Sequence, residues 1–265
     1  MRTALTIAGS DSGGGAGIQA DLKTFAAHGV YGTSAITAIT AQNTLGVSAW
    51  QAVPTDLVIA QIEAVASDLQ PHAVKTGMLA TAAIVEAVAA AIDSLELPDV
   101  VVDPVMIAKG GDRLLADEAV AMVRTELLRR AMVTTPNVPE AEVLAEMRIH
   151  SERDMEIAAR RIHGLGARVV VVKGGHMGGE ESVDVVATPD RLFELRGPRI
   201  PGPHTHGTGC TFAAAVAANL ALGESVEESL HQARAYLEGA IRHAPGLGGG
   251  HGPLDHFWRT RMAKT

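Results

Sequence analysis

Short apolar runs recur along the chain, each closing on a polar or turn-forming residue: Ala4 to Ala8, Ser34 to Ala41, Ala73 to Thr76, Val100 to Val102, Met132 to Thr135 and Val169 to Val172. Runs this short and this apolar are the pattern of strands buried on both faces of a parallel sheet. Between them, Gly17 to His28, Asp56 to Leu69, Ala82 to Leu95, Asp117 to Arg130 and Ser151 to Leu165 carry apolar residues three and four apart, the period of a helix with one face against a core. The alternation predicts an α/β fold with a mostly parallel central sheet and helices on both faces. In "SVDVVATPDRLFELRG" two strand-like stretches flank Pro189-Asp190, which predicts a small antiparallel hairpin at the sheet edge. Two long helices follow, Thr211 to Leu222 and Val226 to His243, and the stretch "GLGGGHGP" behind them reads as a mobile loop.

With 265 residues, 47% of them hydrophobic, the chain is long enough for one large core, and residues 1–265 read as a single domain. No stretch approaches the roughly 18 consecutive apolar residues of a membrane helix, and the N-terminus lacks a cleavable leader pattern. A lone cysteine, Cys210, forms no internal disulfide. These features predict a cytoplasmic protein. The formal charge of −8 argues against a nucleic-acid surface, so small molecules or further copies of the chain are the expected partners.

In open parallel sheets, ligands gather at the carboxyl ends of the strands. Here those ends carry "GSDSGGGAGIQAD", Gln42-Asn43, Lys75-Thr76-Gly77-Met78, Asp103-Pro104, Thr135-Pro136-Asn137 and Lys173-Gly174-Gly175. The glycines of the first loop fit neither the dinucleotide fingerprint nor a Walker A loop, and they serve either tight helix packing or close approach to a flat ligand. "HGTGCTF" leads from glycines into a helix, so the amides of Gly207, Thr208, Gly209 and Cys210 suit an anion, although an ordinary glycine-rich cap over a structural cysteine fits the composition as well. At a helix N-terminus the dipole favours the thiolate of Cys210. Asn137 near a helix start and Glu140 in its first turn complement the helix dipole. His204, His206, His251 and His256 form no metal-binding spacing.

The segments "AGSDSGGGAGIQADLKTF", "TAITAQNT", "KTGML", "VVDPVM", "TPNVPEAEVL", "VVVKGGH" and "HTHGTGCTFAAAVAA" together resemble the hydroxymethylpyrimidine/phosphomethylpyrimidine kinases of thiamine biosynthesis, members of the ribokinase-like superfamily. The resemblance covers nearly the whole chain. It implies a ribokinase-like three-layer sandwich and transfer of the γ-phosphoryl group of ATP to 4-amino-5-hydroxymethyl-2-methylpyrimidine, then to its monophosphate. It places Cys210 as catalytic base, with Gly207 and Gly209 in the anion-binding turn. Gln42, Gly9, Ala16, Met78 and Val105 fall at the pyrimidine, and Lys173, Thr208 and Asp103 at the ATP phosphates. Mg²⁺ is the implied cofactor, held near Asn137 and Glu140 through water. Ser12-Gly13 and His204 depart from the family's usual residues, at positions to which no chemistry is assigned. A homodimer fits the superfamily. Pyridoxal or pyridoxine kinase is the nearest alternative, and a ligand-binding sensor without turnover the non-enzymatic one.

Overall fold

The computed structural model describes residues 1–106, 116–175 and 177–262. Its strands are β1 (Thr3–Ala8), β2 (Tyr31–Ile36), β3 (Ala38–Asn43), β4 (Gly46–Ala52), β5 (Ala73–Thr76), β6 (Val100–Val102), β7 (Val133–Thr134), β8 (Val169–Lys173), β9 (Glu181–Ala187) and β10 (Leu192–Pro198). The helices are α1 (Gly17–Ala27), α2 (Thr55–Asp68), α3 (Ala82–Ser94), α4 (Asp117–Met122), α5 (Val138–Ala145), α6 (Glu152–His163), α7 (Thr208–Leu222), α8 (Val226–Arg242) and α9 (Trp258–Met262). The central sheet has the order β10-β9-β8-β7-β6-β5-β1-β2. Neighbours from β2 through β8 pair parallel, while β9 and β10 form the antiparallel edge hairpin around Pro189-Asp190.

Alternation along each strand divides the core between the two faces. Val100, Val102, Val170 and Val172 pack with α2, α3, α5 and α6, while Val101, Val169 and Val171 pack with α1, α7 and α8. Helix α7 is buried from Thr211 to Ala221. A helix apolar on every side belongs inside, and its alanines let the sheet, α1 and α8 approach closely.

Two segments depart from the pattern expected of the sequence. The run Ser34 to Ala41 is not one strand: it leaves the central sheet at Thr37, whose N–H donates to Ala8 and whose hydroxyl donates to Met78. Beyond that break, β3 pairs antiparallel with β4 in a separate two-stranded hairpin, with a register shift between Ala41 and Gln42. Gln42 therefore stands on a flap over the strand ends and not at the end of a central strand. The helix expected over Asp117 to Arg130 loosens after Met122 into wider and then tighter turns.

Candidate active site

The carboxylate of Asp11 organises the first glycine loop. One oxygen accepts the Gly13 N–H at 2.8 Å, and the other accepts those of Gly15 at 3.0 Å and Ala16 at 2.8 Å. His206 adds a ring contact at 2.9 Å. Burial works against this charge, but the His206 and amide hydrogen bonds prevail and hold Asp11 below its ordinary pKa. The second glycine loop packs onto the first. Gly207 has φ 82°, and a Cβ there would overlap the Gly15 carbonyl. Immediately after it, the N–H groups of Thr208, Gly209 and Cys210 open helix α7 with no carbonyl one turn behind them. They line a cavity of about 380 Å³.

Gly9, Ala16, Met78 and Val105 line the same cavity, and the flap covers it with Thr40, Gln42, Val47 and Trp50. Ser12, which sequence reading left without a role, bonds both the N–H and the carbonyl of Gln42 at 2.7 Å through its hydroxyl. The Gln42 amide nitrogen lies 3.3 Å from the His206 Nε2 that contacts Asp11. A carboxylate only accepts, so a Nε2 that donates to Asp11 cannot also accept from the Gln42 amide.

The charged groups meet beneath the α7 turn. Lys173 Nζ lies 3.2 Å from Asp103, and a Cβ at Gly209 would lie 3.2 Å from that same Nζ. Asn137 and Glu140 form a reciprocal capping box at the start of α5, each side chain accepting the other's N–H at 2.9 Å. The cap and the cavity wall are the same residues. Burial pushes the Glu140 carboxyl up to about 7, against the pull of Lys173, and Asp103 pushes it further. Burial also opposes the Lys173 ammonium, yet Asp103 and Glu140 raise its pKa overall. Two carboxylates face one ammonium, so the cluster favours an added cation.

Cys210 sits at the cavity beside a second buried pair. Lys75 and Asp21 are fully buried and 2.8 Å apart, with Thr6 donating to Asp21 at 2.6 Å. The expectation of a dipole-lowered Cys210 fails here: burial pushes the thiol up to about 11 and outweighs the attraction of Lys75. Desolvation of a thiolate is the larger effect, since the helix dipole amounts to about half a charge at its end.

A second cavity of about 370 Å³ shares Asn137, Lys173, Thr205, Thr208 and Gly209 with the first. Its far wall holds Phe212, Leu237 and Ile241 beside the buried pair Arg234 and Asp184. Asp184 also accepts the Gly174 N–H at 2.9 Å, fixing the backbone next to Lys173. Two compartments thus meet at the amides that open α7. The sequence model of phosphomethylpyrimidine kinases matches residues 11–255.

The chain belongs to the phosphomethylpyrimidine kinase family. The hydroxymethylpyrimidine/phosphomethylpyrimidine kinase of Bacillus subtilis is 50% identical over 96% of this chain and 94% of its own. Among solved structures, a Bacillus subtilis pyridoxal kinase in complex with ADP is 41% identical, with a TM-score of 0.92 over 98% of this chain and 99% of that one. A Staphylococcus aureus pyridoxal kinase holding AMP-PCP and pyridoxal is 35% identical, with a TM-score of 0.92 over 99% and 96%. These likenesses agree with the three-layer fold and with a kinase.

The residues to which the resemblance gives roles all line the first cavity of this kinase. Nothing in the sequence pattern marks Asp11 as the holder of the first glycine loop, His206 or Trp50 as site residues, or Lys75 and Asp21 as a pair. Lys75 was visible only as a strand-end lysine. Its partner Asp21 lies in α1, 54 positions earlier, and nothing in the spacing joins them. Arg234 and Asp184 are fifty positions apart and meet only through the fold.

Proposed function

We propose that this kinase transfers the γ-phosphoryl group of ATP to the hydroxymethyl group of 4-amino-5-hydroxymethyl-2-methylpyrimidine, and then phosphorylates the resulting monophosphate. The observation that carries the reading is the junction of two cavities at the Thr208–Gly209–Cys210 turn, with Lys173 beneath it. The pyrimidine occupies the flap-covered cavity. There the Gln42 amide offers an acceptor and donors to an aminopyrimidine edge, while Gly9, Ala16, Met78 and Val105 accommodate the ring. ATP occupies the other cavity, with its phosphates over Thr208 and Lys173 and near Asp103. Phosphoryl transfer depends mainly on positioning and charge neutralisation, which amides and an ammonium supply.

The net negative cluster fits Mg²⁺. Among the described residues no three metal-ligating side chains converge, which favours contact through water, as a strongly hydrated dication prefers. Asn137 and Glu140 would hold it, and when bound it neutralises phosphate charge. Glu140→Gln should raise the Mg²⁺ concentration for half-maximal rate by roughly tenfold and lower kcat, with pyrimidine KM unchanged. An unaltered Mg²⁺ titration would leave Glu140 as a helix cap alone. The reading includes a cytoplasmic homodimer. The exposed Ile39 and Leu45 on the flap support self-association, and no described helix is long and apolar enough to cross a membrane.

The second reading, pyridoxal or pyridoxine kinase, is favoured by the likeness to structures of that activity. A panel of both alcohols with ATP, resolved by product mass, separates the two. Conversion of the pyrimidine to mono- and diphosphate is the expected result, and conversion of the pyridine alcohols alone would overturn it.

A further inference from the structure

The glycine-rich stretch Gly246 to Pro253 reads from its composition as a mobile loop, but the structure packs it into three parts of the site. Its His251 N–H donates to the Thr44 carbonyl at 2.9 Å, and its Gly250 N–H donates to the Thr44 hydroxyl at 3.3 Å. Thr44 is at the tip of the flap, between β3 and β4. The Gly252 carbonyl accepts the His206 N–H at 3.1 Å, and the His251 ring lies 3.2 Å from the Pro203 carbonyl. Pro253 bridges to His206 and packs against Gly15. The stretch therefore touches the flap, the approach to the anion turn and the first glycine loop together.

Its glycines are spaced to allow this. A Cβ at Gly250 would overlap the Thr44 carbonyl, and one at Gly248 would overlap the Thr44 side chain. Between them, a Cβ at Gly249 would meet nothing within 4 Å. Only the glycines facing Thr44 are pressed against it. Gly252 is pressed in the same way against the His204 ring, so the stretch is packed on the flap at one end and on the approach to the α7 turn at the other.

We infer that Gly246 to Pro253 is a clasp that seats the β3–β4 flap over the acceptor cavity, with Gly250 and Thr44 as positioning residues for the acceptor substrate. This rests on the reading that the flap-covered cavity holds the acceptor. The clasp sets the height of the flap through Thr44, two residues from Gln42. Through His206 it ties that height to the loop carrying Gly207. Its hydrogen bonds and close approaches described above run to Thr44, Pro203, His204, His206 and Gly15, none of which lines only the nucleotide cavity.

The matched pair Gly250→Ala and Gly249→Ala tests this in the full chain. Gly250→Ala should raise the acceptor KM at least about tenfold, since a misplacement of an ångström is costly at such a site, with ATP KM within about twofold of the parent. Hydrogen exchange over residues 38–52 should accelerate in the same variant, while Gly249→Ala matches the parent in both measurements. Thr44→Ala, which removes the hydroxyl without crowding, should shift KM and exchange in the same direction by a smaller factor. If Gly250→Ala and Gly249→Ala behave alike, or if ATP KM rises in step with acceptor KM, there is no clasp. Hydrogen exchange needs no substrate. Faster exchange in Gly250→Ala, together with a parent that does not phosphorylate the pyrimidine, would sink the acceptor assignment and keep the clasp.

Discussion

Lys173→Met should lower kcat for phosphorylation of the alcohol and of the monophosphate alike, by about 10²–10³-fold, the usual effect of deleting one preorganised donor from a site of developing charge. The two reactions share the transferring phosphoryl group and differ in the acceptor. Lys173 lies under the α7 turn that both would use, close enough that a Cβ at Gly209 would be 3.2 Å away. Its loss has a further consequence. Asp103 and Glu140 would then face each other without the ammonium that now offsets their repulsion, and Glu140 is already pushed up to about 7. In the variant Glu140 should stay protonated to higher pH, so part of the lost rate should return as Mg²⁺ is raised, whereas pyrimidine KM should not move. Single-turnover rates for each acceptor at saturating ATP are the measurement. A loss confined to one acceptor would remove Lys173 from the shared phosphoryl site.

The sequence disclosed the layers of this kinase better than it disclosed the groups that work together. The central strands were legible because burial on both faces leaves no choice but continuous apolar runs, as in "VVVV" of β8. The flap was not. Gly46–Ala52 reads "GVSAWQA", with mostly exposed residues and no apolar period, so pattern alone could not call it a strand. The break at Thr37 was hidden for a related reason: "TSAITAIT" keeps the same β-branched and small residues, with no Gly or Pro, across the point where the chain leaves the sheet, and the hydrogen bonds to Ala8 and Met78 mark it. Strand ends announced Asp103, Asn137 and Lys173 because a charge or amide after a buried run has few other uses. Asp11 also follows a buried run, but its partner His206, 195 positions away, carries no such mark. The sign of the Cys210 shift was lost to sequence for the same reason. The helix start is visible in "GTGC", but the depth of the thiol depends on the side chains around it.

That depth decides what Cys210 is expected to do. If it takes the proton from the substrate hydroxyl, general-base catalysis contributes about 10²–10⁴ in rate. With the thiol pushed up to about 11, ionising it at pH 7 costs about 5 kcal/mol at 1.36 per unit, which offsets the whole of that advantage. The rate of alcohol phosphorylation should therefore climb with pH through 7 to 9, by up to about tenfold per unit, as the thiolate fraction grows. The monophosphate presents an oxygen already ionised, since its second pKa is about 6, and its rate should be nearly flat over the same range. Cys210→Ala should change alcohol phosphorylation little at pH 7, lower it by up to about 10²-fold near pH 9, abolish the pH slope, and leave the monophosphate step much less affected. Single-turnover rates against pH, for both acceptors and both proteins, make the comparison. Equal losses in the two steps would mean that Cys210 shapes the turn and carries no proton. A variant that keeps both rates and the slope would make Cys210 a packing residue beneath the amides of α7.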